Sequence, residues 1–273
     1  MVDYQHVRMD LMTSKQVAAY LKTNDMVVLP VGCVEMHGPA VPLGCDTFHA
    51  WASALLLADV WKCLCAPPVY YAFPGASGPW PGTVDISPEA TVAYLKAIVK
   101  ALLKGGFKRV VLYGTHGPLS AMYQMVLRSI YQETGNVIIG MMSPQLMPED
   151  LMMAEFGYGR KEDILVLASL KILGLHGAYD PATDVEKPQT FPFDTIGALK
   201  KHGAQVPWIF SADHQHTGIR PGLTLDDADR AVKVMTEAAR RMADLPENFA
   251  RYQAEMAALI ADPPWQRDDV WSM

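Results

Sequence analysis

Short apolar runs alternate with longer segments rich in Ala and Leu along the first half of the chain. The short runs have the length of buried strands, and they predict strands over residues 26–30, 69–73, 108–113 and 137–140. The longer segments between them predict helices over residues 47–63, 88–104 and 119–133. A repeated strand–loop–helix pattern is typical of the α/β class, with a mainly parallel central sheet flanked by helices on both faces.

The remainder of the chain carries a weaker pattern. It predicts helices over residues 14–22, 164–170, 225–242 and 247–261. Residues 174–210 hold many Pro and polar residues, so we expect a loop-rich excursion there that closes a site or meets a neighbouring subunit. The length of 273 residues suits one domain spanning residues 1–273.

Three polar residues follow the first predicted strand, where open α/β sheets gather ligands. Glu35 and His37 are two residues apart and point the same way in an extended chain. Asp46 returns after a turn rich in Gly and Pro. Two carboxylates and an imidazole form a ligand set suited to zinc, manganese or iron. The alternative is a solvated Glu35, a hydrogen-bonded loop His37 and a helix-capping Asp46.

The motif around these residues is long. Residues 30–39 read PVGCVEMHGP and residues 42–46 read PLGCD. Directly after a strand, this pattern resembles the N-terminal signature of the creatininase family of metal-dependent amidohydrolases. The resemblance implies a creatininase-like three-layer sandwich of helices around the sheet.

Two further ligands are implied by the same resemblance. His116, in the GTHGP of residues 114–118, matches the metal-binding His of the family, although Thr115 replaces a Gly and the following Gly-Asn is lost. Glu162 takes the place of the family's Glu at the start of an apolar helix, where the family's His has become Gly157. The alternatives are a structural His at a strand end and an ordinary first-turn Glu that complements the helix dipole.

Other positions are candidates for contact with the substrate. Residues 81–83, PGT, match a family segment that borders the active site, so Thr83 is a candidate for substrate contact. Thr115 is another candidate, because its difference from the family changes the loop surface that meets the substrate. Trp80 either stacks on a flat substrate or covers the core. His214 and His216 would face the same way if extended, and either is a candidate acid or base in place of the lost His.

The resemblance implies a hydrolase with two divalent metal ions, zinc or manganese first and iron as a further candidate. One ion would be held by Glu35, Asp46 and His116, and the other by His37, Asp46 and Glu162. The pair would lower the pKa of a water and polarise the substrate carbonyl. Hydrolysis of a C–N bond in a small cyclic amide is the first prediction, and opening of a cyclic diketone derived from inositol, at a C–C bond, is the second.

Of two functions from other classes, one stays open. A catalytically silent member that binds a small sugar-like ligand is an alternative, although five candidate ligands weigh against it. A dinucleotide-binding fold is disfavoured, because no Gly-x-Gly-x-x-Gly follows a predicted strand.

Composition refines the setting. The net charge of −6 gives no reason to expect a nucleic-acid partner, and no signal peptide or membrane span is apparent. The four cysteines (Cys33, Cys45, Cys63 and Cys65) lack a C-x-x-C pattern, and we expect packed, reduced thiols in a cytoplasmic protein. The family resemblance implies a homo-oligomer, commonly a hexamer, that acts on a small molecule.

Overall fold

A parallel sheet of four strands forms the centre of the protein in a computed structural model. The structure describes residues 4–142, 146, 148–157, 162–180, 191–212 and 227–267. For residues 162 and 163 it describes the backbone alone. The strands are β1 (Met26–Val31), β2 (Leu64–Cys65), β3 (Arg109–Gly114) and β4 (Ile139–Met142). Their order is β2-β1-β3-β4, and every neighbouring pair is parallel.

Helices cover both faces of this sheet. They are α1 (Ser14–Tyr20), α2 (Cys45–Trp61), α3 (Pro88–Lys104), α4 (Leu119–Thr134), α5 (Glu149–Phe156), α6 (Glu162–Ile172), α7 (Asp194–Lys201), α8 (Asp227–Arg240) and α9 (Leu245–Ala261). Alternate strand residues enter opposite cores: Val28 packs with α2, α6 and α8, whereas Val27 and Leu29 pack with α3 and α4. The predicted α/β sandwich of three layers is therefore confirmed.

The register of the two central strands places their carboxyl ends together. Val31, at the end of β1, lies opposite Gly114, at the end of β3. The loops that follow, residues 32–44 and 115–118, consequently leave the same edge of the sheet, as the repeated strand–loop–helix pattern predicted.

The predicted strand over residues 69–73 is wrong. Its only described sheet contact is a single bridge between Val69 and Val31, and the regular strand is the shorter β2 upstream. Ala66 still donates its amide to the Val28 carbonyl (2.8 Å) and Val69 donates to Pro30 (2.9 Å). The two prolines between them, at positions 67 and 68, have no N–H group, so the ladder is interrupted there.

Smaller differences concern element ends. Helix α2 stops at Trp61 because Lys62 adopts a left-handed conformation with φ of 54°, which ends a helix. The excursion predicted over 174–210 contains the helix α7, and the fourth strand begins two residues later than predicted.

The C-terminal helices pack back onto the first half of the chain. Helix α8 buries an apolar face that includes Ala231 and Met235, and it contacts α2 and α6. The indole of Trp61 donates to the carbonyl of Met242 at 2.7 Å. Among the helices of the described residues, none is both long enough and apolar enough to cross a membrane.

Candidate metal centre

The loop after β1 is pressed against the start of α2. A Cβ on Gly32 would lie 2.3 Å from the Cα of Thr47, so only Gly permits this approach. The Thr47 hydroxyl donates to the carbonyl of Cys33 at 3.1 Å, and the amide of Glu35 donates to Leu43 at 2.9 Å. The strand end and the first turn of α2 are thereby held together, which brings Glu35 and Asp46 face to face.

Four of the five predicted ligands meet at this point. Nδ1 of His116 lies 2.9 Å from Glu35 Oε1 and 2.8 Å from Asp46 Oδ2. Nε2 of His37 lies 3.6 Å from Asp46 Oδ1 and 3.9 Å from Glu35 Oε1. No side chain of the four is more than 5% exposed. Two carboxylates therefore converge on two imidazoles away from bulk water.

Main-chain carbonyls orient both imidazoles. Nε2 of His116 lies 2.9 Å from the carbonyl of Phe73, and Nδ1 of His37 lies 3.2 Å from the carbonyl of Glu35. A carbonyl only accepts, so these two nitrogens carry the protons that they donate. The opposite ring nitrogens face the carboxylates, which is the usual arrangement of imidazole ligands supported from behind. The Ser77 hydroxyl similarly donates to Glu35 Oε2.

The two buried carboxylates of the cluster stabilise positive charge beside them. Burial alone would raise the pKa of Asp46, but the facing His37 and His116 imidazoles hold it well below its usual range. Burial would lower the pKa of His116, whereas Asp46 and Glu35 raise it to about 10. Burial would lower the pKa of His37, but its interactions with Cys45 and then Asp46 raise it well above its usual range. Protonated imidazoles here balance the carboxylates, a charge that a divalent cation supplies equally.

These residues fit a metal ion. Ligand atoms of Cys33, Glu35, Asp46 and His116 all lie within 4.8 Å of one another, and all four residues are buried. Imidazole and carboxylate suit zinc, manganese and iron alike. The two oxygens of the Asp46 carboxylate face different imidazoles: Oδ1 faces His37 and Oδ2 faces His116.

A cavity of about 660 Å³ opens onto the cluster. We call Glu35, His37, Asp46 and His116 the floor, although among the described residues His37 does not line the cavity itself. Four lining residues belong to one segment, which we call the wall: Val206, Pro207, Trp208 and Phe210. Phe73, Pro74 and Pro118 complete a mostly apolar lining.

Two hydrogen bonds among the described residues join the wall to the loop beside the floor. Phe210 donates its amide to the carbonyl of Ala76 at 3.0 Å, and its carbonyl accepts from Trp80 Nε1 at 2.8 Å. The rings of Trp208 and Phe210 meet edge to face, with centroids 4.9 Å apart. Residues 174–210, predicted as an excursion near the site, thus contribute one side of the cavity.

The predicted substrate contacts lie in different places. The Thr115 hydroxyl donates to the carbonyl of Asp46 at 3.0 Å, and Thr115 lines the cavity. Thr83 accepts the amide of Met36 at 3.0 Å and so supports the loop that carries Glu35. Trp80 is half-buried and anchors Phe210. Among the described residues, Thr83 and Trp80 do not line the cavity.

Three candidate residues fall outside the described part. The structure describes the backbone of Glu162 at the start of α6 but not its side chain. His214 and His216 lie outside the described residues. Their assignments as ligand and as acid or base stay predictions.

Sequence reasoning missed several neighbours of the cluster. Cys33, expected only to pack, donates to Asp46 Oδ2 at 3.2 Å. Its spacing of two from Glu35 in an extended segment was a usable signal. Ser77 and Trp208 carried no such signal, because their loops reach the site through tertiary contacts alone. His49, one turn into α2, is buried, and that burial lowers its pKa to about 3.

Comparison with known proteins agrees with this geometry. A family model described as creatininase, creatinine amidohydrolase, matches residues 10–177, more than half of the chain. A solved structure named "Creatininase Mn" superposes with a TM-score of 0.66 at 20% identity, over 89% of this chain and 98% of that one. At that identity the superposition supports the fold alone.

Two curated relatives match shorter stretches. The 3-dehydro-scyllo-inosose hydrolase of Thermotoga maritima is 36% identical over 107 residues, 39% of this chain and 34% of the relative. The mycofactocin precursor peptide peptidase of Mycolicibacterium smegmatis is 32% identical over 113 residues, 39% of this chain and 46% of the relative. The chain thus spans less than half the length of each. By the match of the family model, the chain belongs to the creatininase family.

Proposed function

We propose that this chain is a metal-dependent hydrolase that cleaves a C–N bond at a carbonyl carbon of a small cyclic substrate. The observation that carries the proposal is the convergence of two buried carboxylates on one nitrogen of His116, at the bottom of a cavity. A divalent cation bound there lowers the pKa of a water and polarises a carbonyl.

Each residue of the floor has a separate role in this proposal. Glu35 and Asp46 supply the negative charge that binds the cation, and His116 adds a neutral nitrogen fixed by the Phe73 carbonyl. His37 serves a second cation together with Asp46 and Glu162. His214 or His216 is the candidate acid or base in place of the family's lost His, as in the sequence prediction.

The wall acts on the substrate rather than on the cation. Phe73, Trp208 and Phe210 give the cavity flat aromatic surfaces, which suit a planar ring and exclude water from the reacting carbonyl. Among the described lining residues, Thr115 carries the only hydroxyl group. A flat, weakly polar substrate such as a cyclic amide fits this lining better than a ring with many hydroxyl groups.

Relatives support C–N cleavage and the choice of metal. The family model is named for an amidohydrolase, and one curated relative is a peptidase; both names imply C–N bonds. The manganese in the name of the superposed structure supports manganese as a candidate ion, alongside zinc. We propose two ions per chain.

A second candidate function has one specific observation in its favour. The relative with 36% identity is a 3-dehydro-scyllo-inosose hydrolase, which matches the predicted alternative of ring opening at a C–C bond in a diketone derived from inositol. A silent small-ligand-binding member is the alternative of another class.

Metal content per chain tests the proposal first. We expect plasma mass spectrometry to find close to two ions in dialysed wild type and a sharp loss in Asp46→Ala. The matched control is Asp59→Ala, which changes a half-exposed carboxylate on the same helix and should retain the metal. Little metal in wild type, even after incubation with zinc and manganese, would contradict the proposal.

A substrate survey separates the two candidate reactions. Wild type and Asp46→Ala are supplied with cyclic amides and with cyclic diketones, and the products are identified by mass spectrometry. A single product that has gained one water and carries a new carboxylate and a new N–H group supports C–N hydrolysis. Exclusive cleavage between a carbonyl and a carbon would reverse the order of the two candidates.

The cellular setting is also a proposal. We propose one domain that assembles as a homo-oligomer, a hexamer by family resemblance, in the cytoplasm, without nucleic-acid or membrane partners. Exposed apolar side chains on and after α9, including Tyr252, Ile260 and Trp265, support contact with a second copy. The net charge of −6 weighs against nucleic acid.

A further inference from the structure

The thiol of Cys33 belongs to the same cluster of ligand atoms as the carboxylates. Cys33 is fully buried, and its Sγ donates to Asp46 Oδ2 at 3.2 Å. That same oxygen lies 2.8 Å from Nδ1 of His116. The sulfur, the oxygen, the nitrogen and a Glu35 carboxylate oxygen all lie within 4.8 Å of one another.

The separations suit coordination of a single ion. Zinc binds thiolate sulfur at about 2.3 Å and carboxylate oxygen at about 2.0 Å in a tetrahedron, which sets the sulfur and oxygen roughly 3.5 Å apart. The Cys33–Asp46 separation of 3.2 Å is close to this edge. The nitrogen–oxygen edges of 2.8 and 2.9 Å lie slightly inside the corresponding value of roughly 3.3 Å.

We infer that Cys33 supplies a thiolate ligand to the ion held by Glu35, Asp46 and His116, and that this sulfur makes the site prefer zinc to manganese. The inference rests on the metal site of the proposed function. On coordination the S–H bond breaks, its proton leaves to water and a sulfur–metal bond forms, without any change of oxidation state. A coordinating thiol is deprotonated by the ion itself.

The expected selectivity follows from the softness of the donors. Thiolate ligands select zinc among common divalent ions, whereas sites of carboxylate and water suit manganese. An ion site made of Glu35, Asp46 and His116 alone would discriminate weakly between zinc and manganese. Cys33 adds the single soft donor, so it is the residue that decides the preference.

Another thiol near the site provides the control. Cys45 is the first residue of α2, and its Sγ lies 3.3 Å from Nε2 of His49 and also interacts with the imidazole of His37. It is buried like Cys33, but its sulfur is not among the four clustered ligand atoms of the described residues. Cys45→Ala therefore removes a nearby buried thiol without removing the proposed ligand.

Cobalt titration of the full chain tests the inference. With Co²⁺ as the probe, we expect wild type to show a sulfur-to-cobalt charge-transfer band in the near ultraviolet that grows with bound cobalt. Cys33→Ser should lose this band while it keeps the visible bands of bound cobalt, and Cys45→Ala should keep both. Circular dichroism and thermal melting establish that each variant is folded.

Competition between metals supplies a second readout. Wild type and Cys33→Ser are equilibrated with mixtures of Zn²⁺ and Mn²⁺ and the bound ions are counted by plasma mass spectrometry. We expect the ratio of zinc to manganese affinity to fall about tenfold or more in Cys33→Ser, the scale of losing a ligand or its support. X-ray absorption of zinc-loaded wild type, which needs no variant, should show one sulfur neighbour.

The outcomes separate failure of this inference from failure of the proposed function. Visible cobalt bands without a charge-transfer band in wild type would overturn the role of Cys33, reduce it to a hydrogen-bond donor to Asp46 and leave the metal site standing. A charge-transfer band that disappears in Cys45→Ala instead would also overturn it. No uptake of cobalt or zinc by wild type would overturn the inference and the proposed hydrolase together.

Discussion

The floor and the wall of the cavity are built in opposite ways. The floor sits at the carboxyl ends of β1 and β3, and its side chains are almost fully buried. Main-chain carbonyls and neighbouring hydroxyls fix their orientation. The wall comes from a segment between helices whose Trp208 is half-buried, and two described hydrogen bonds tie Phe210 to the loop beside the floor.

This contrast separates two tasks. Buried charges with fixed partners tolerate little change, since each loss leaves an uncompensated group in an apolar setting. Aromatic contacts of the wall, which carries no charged residue, can be exchanged at modest cost. We therefore expect changes in the floor to abolish metal binding and turnover, and changes in the wall to alter which substrate is used.

The largest effect is expected from Glu35→Gln. This nearly isosteric change removes one of the two charges that face His116, so we expect the metal content to fall sharply and turnover to fall by about 10³-fold or more, the scale of breaking a catalytic unit. Plasma mass spectrometry and steady-state kinetics measure both. Full metal occupancy in a folded Glu35→Gln protein would show that the floor is not the metal site.

The second-largest effect, a loss of metal affinity, is expected from Ser77→Ala. The variant keeps Glu35 but removes the hydroxyl that orients it, and loss of such support costs about 10- to 100-fold in metal affinity. Chelator competition measures the affinity. Ser120→Ala, an exposed position on α4, is the matched control. An unchanged affinity would mean that the floor does not depend on its surrounding loop.

A smaller and different effect is expected from Trp208→Ala. The change removes a flat surface of the cavity, so KM should rise about tenfold, or roughly 1.4 kcal/mol, while metal content stays at the wild-type value. The control is Trp265→Ala, which changes an exposed Trp after α9. Loss of metal in Trp208→Ala would erase the distinction between floor and wall.

The smallest effect is expected from Trp80→Phe. This variant loses the single hydrogen bond from the indole to the Phe210 carbonyl, worth about 1 kcal/mol. We expect a rise in KM of about fivefold or less, with kcat and metal content unchanged. If Trp80 instead stacks on the substrate, Phe should retain most of the stacking, whereas Trp80→Leu should be far worse than Trp80→Phe.

Sequence reasoning succeeded where the signal is local. The apolar run of β1 and the helical segment that forms α3 need no tertiary information. The family motif placed Glu35, His37 and Asp46 after a strand, and the parallel order of strands placed His116 beside them. These are features of consecutive residues or of simple topology.

It failed where distant segments decide the outcome. Residues 69–73 have the composition of a strand, but the pair of prolines before them allows only one bridge. Ser77 reaches Glu35, and Trp208 reaches the cavity, through folding of long loops that carry no periodic pattern. Cys33 is an intermediate case. The sequence shows that it alternates with Glu35, but it does not show the contact with Asp46.

The loop of residues 73–77 touches both halves of the site. Its Phe73 carbonyl holds His116, its Ser77 hydroxyl holds Glu35, and its Ala76 carbonyl holds Phe210. Occupancy of the cavity and occupancy of the ion site are consequently expected to be thermodynamically linked. Linkage is reciprocal, so a substrate analogue should tighten cation binding by the same factor by which the cation tightens the analogue, and a five-residue loop would carry that coupling.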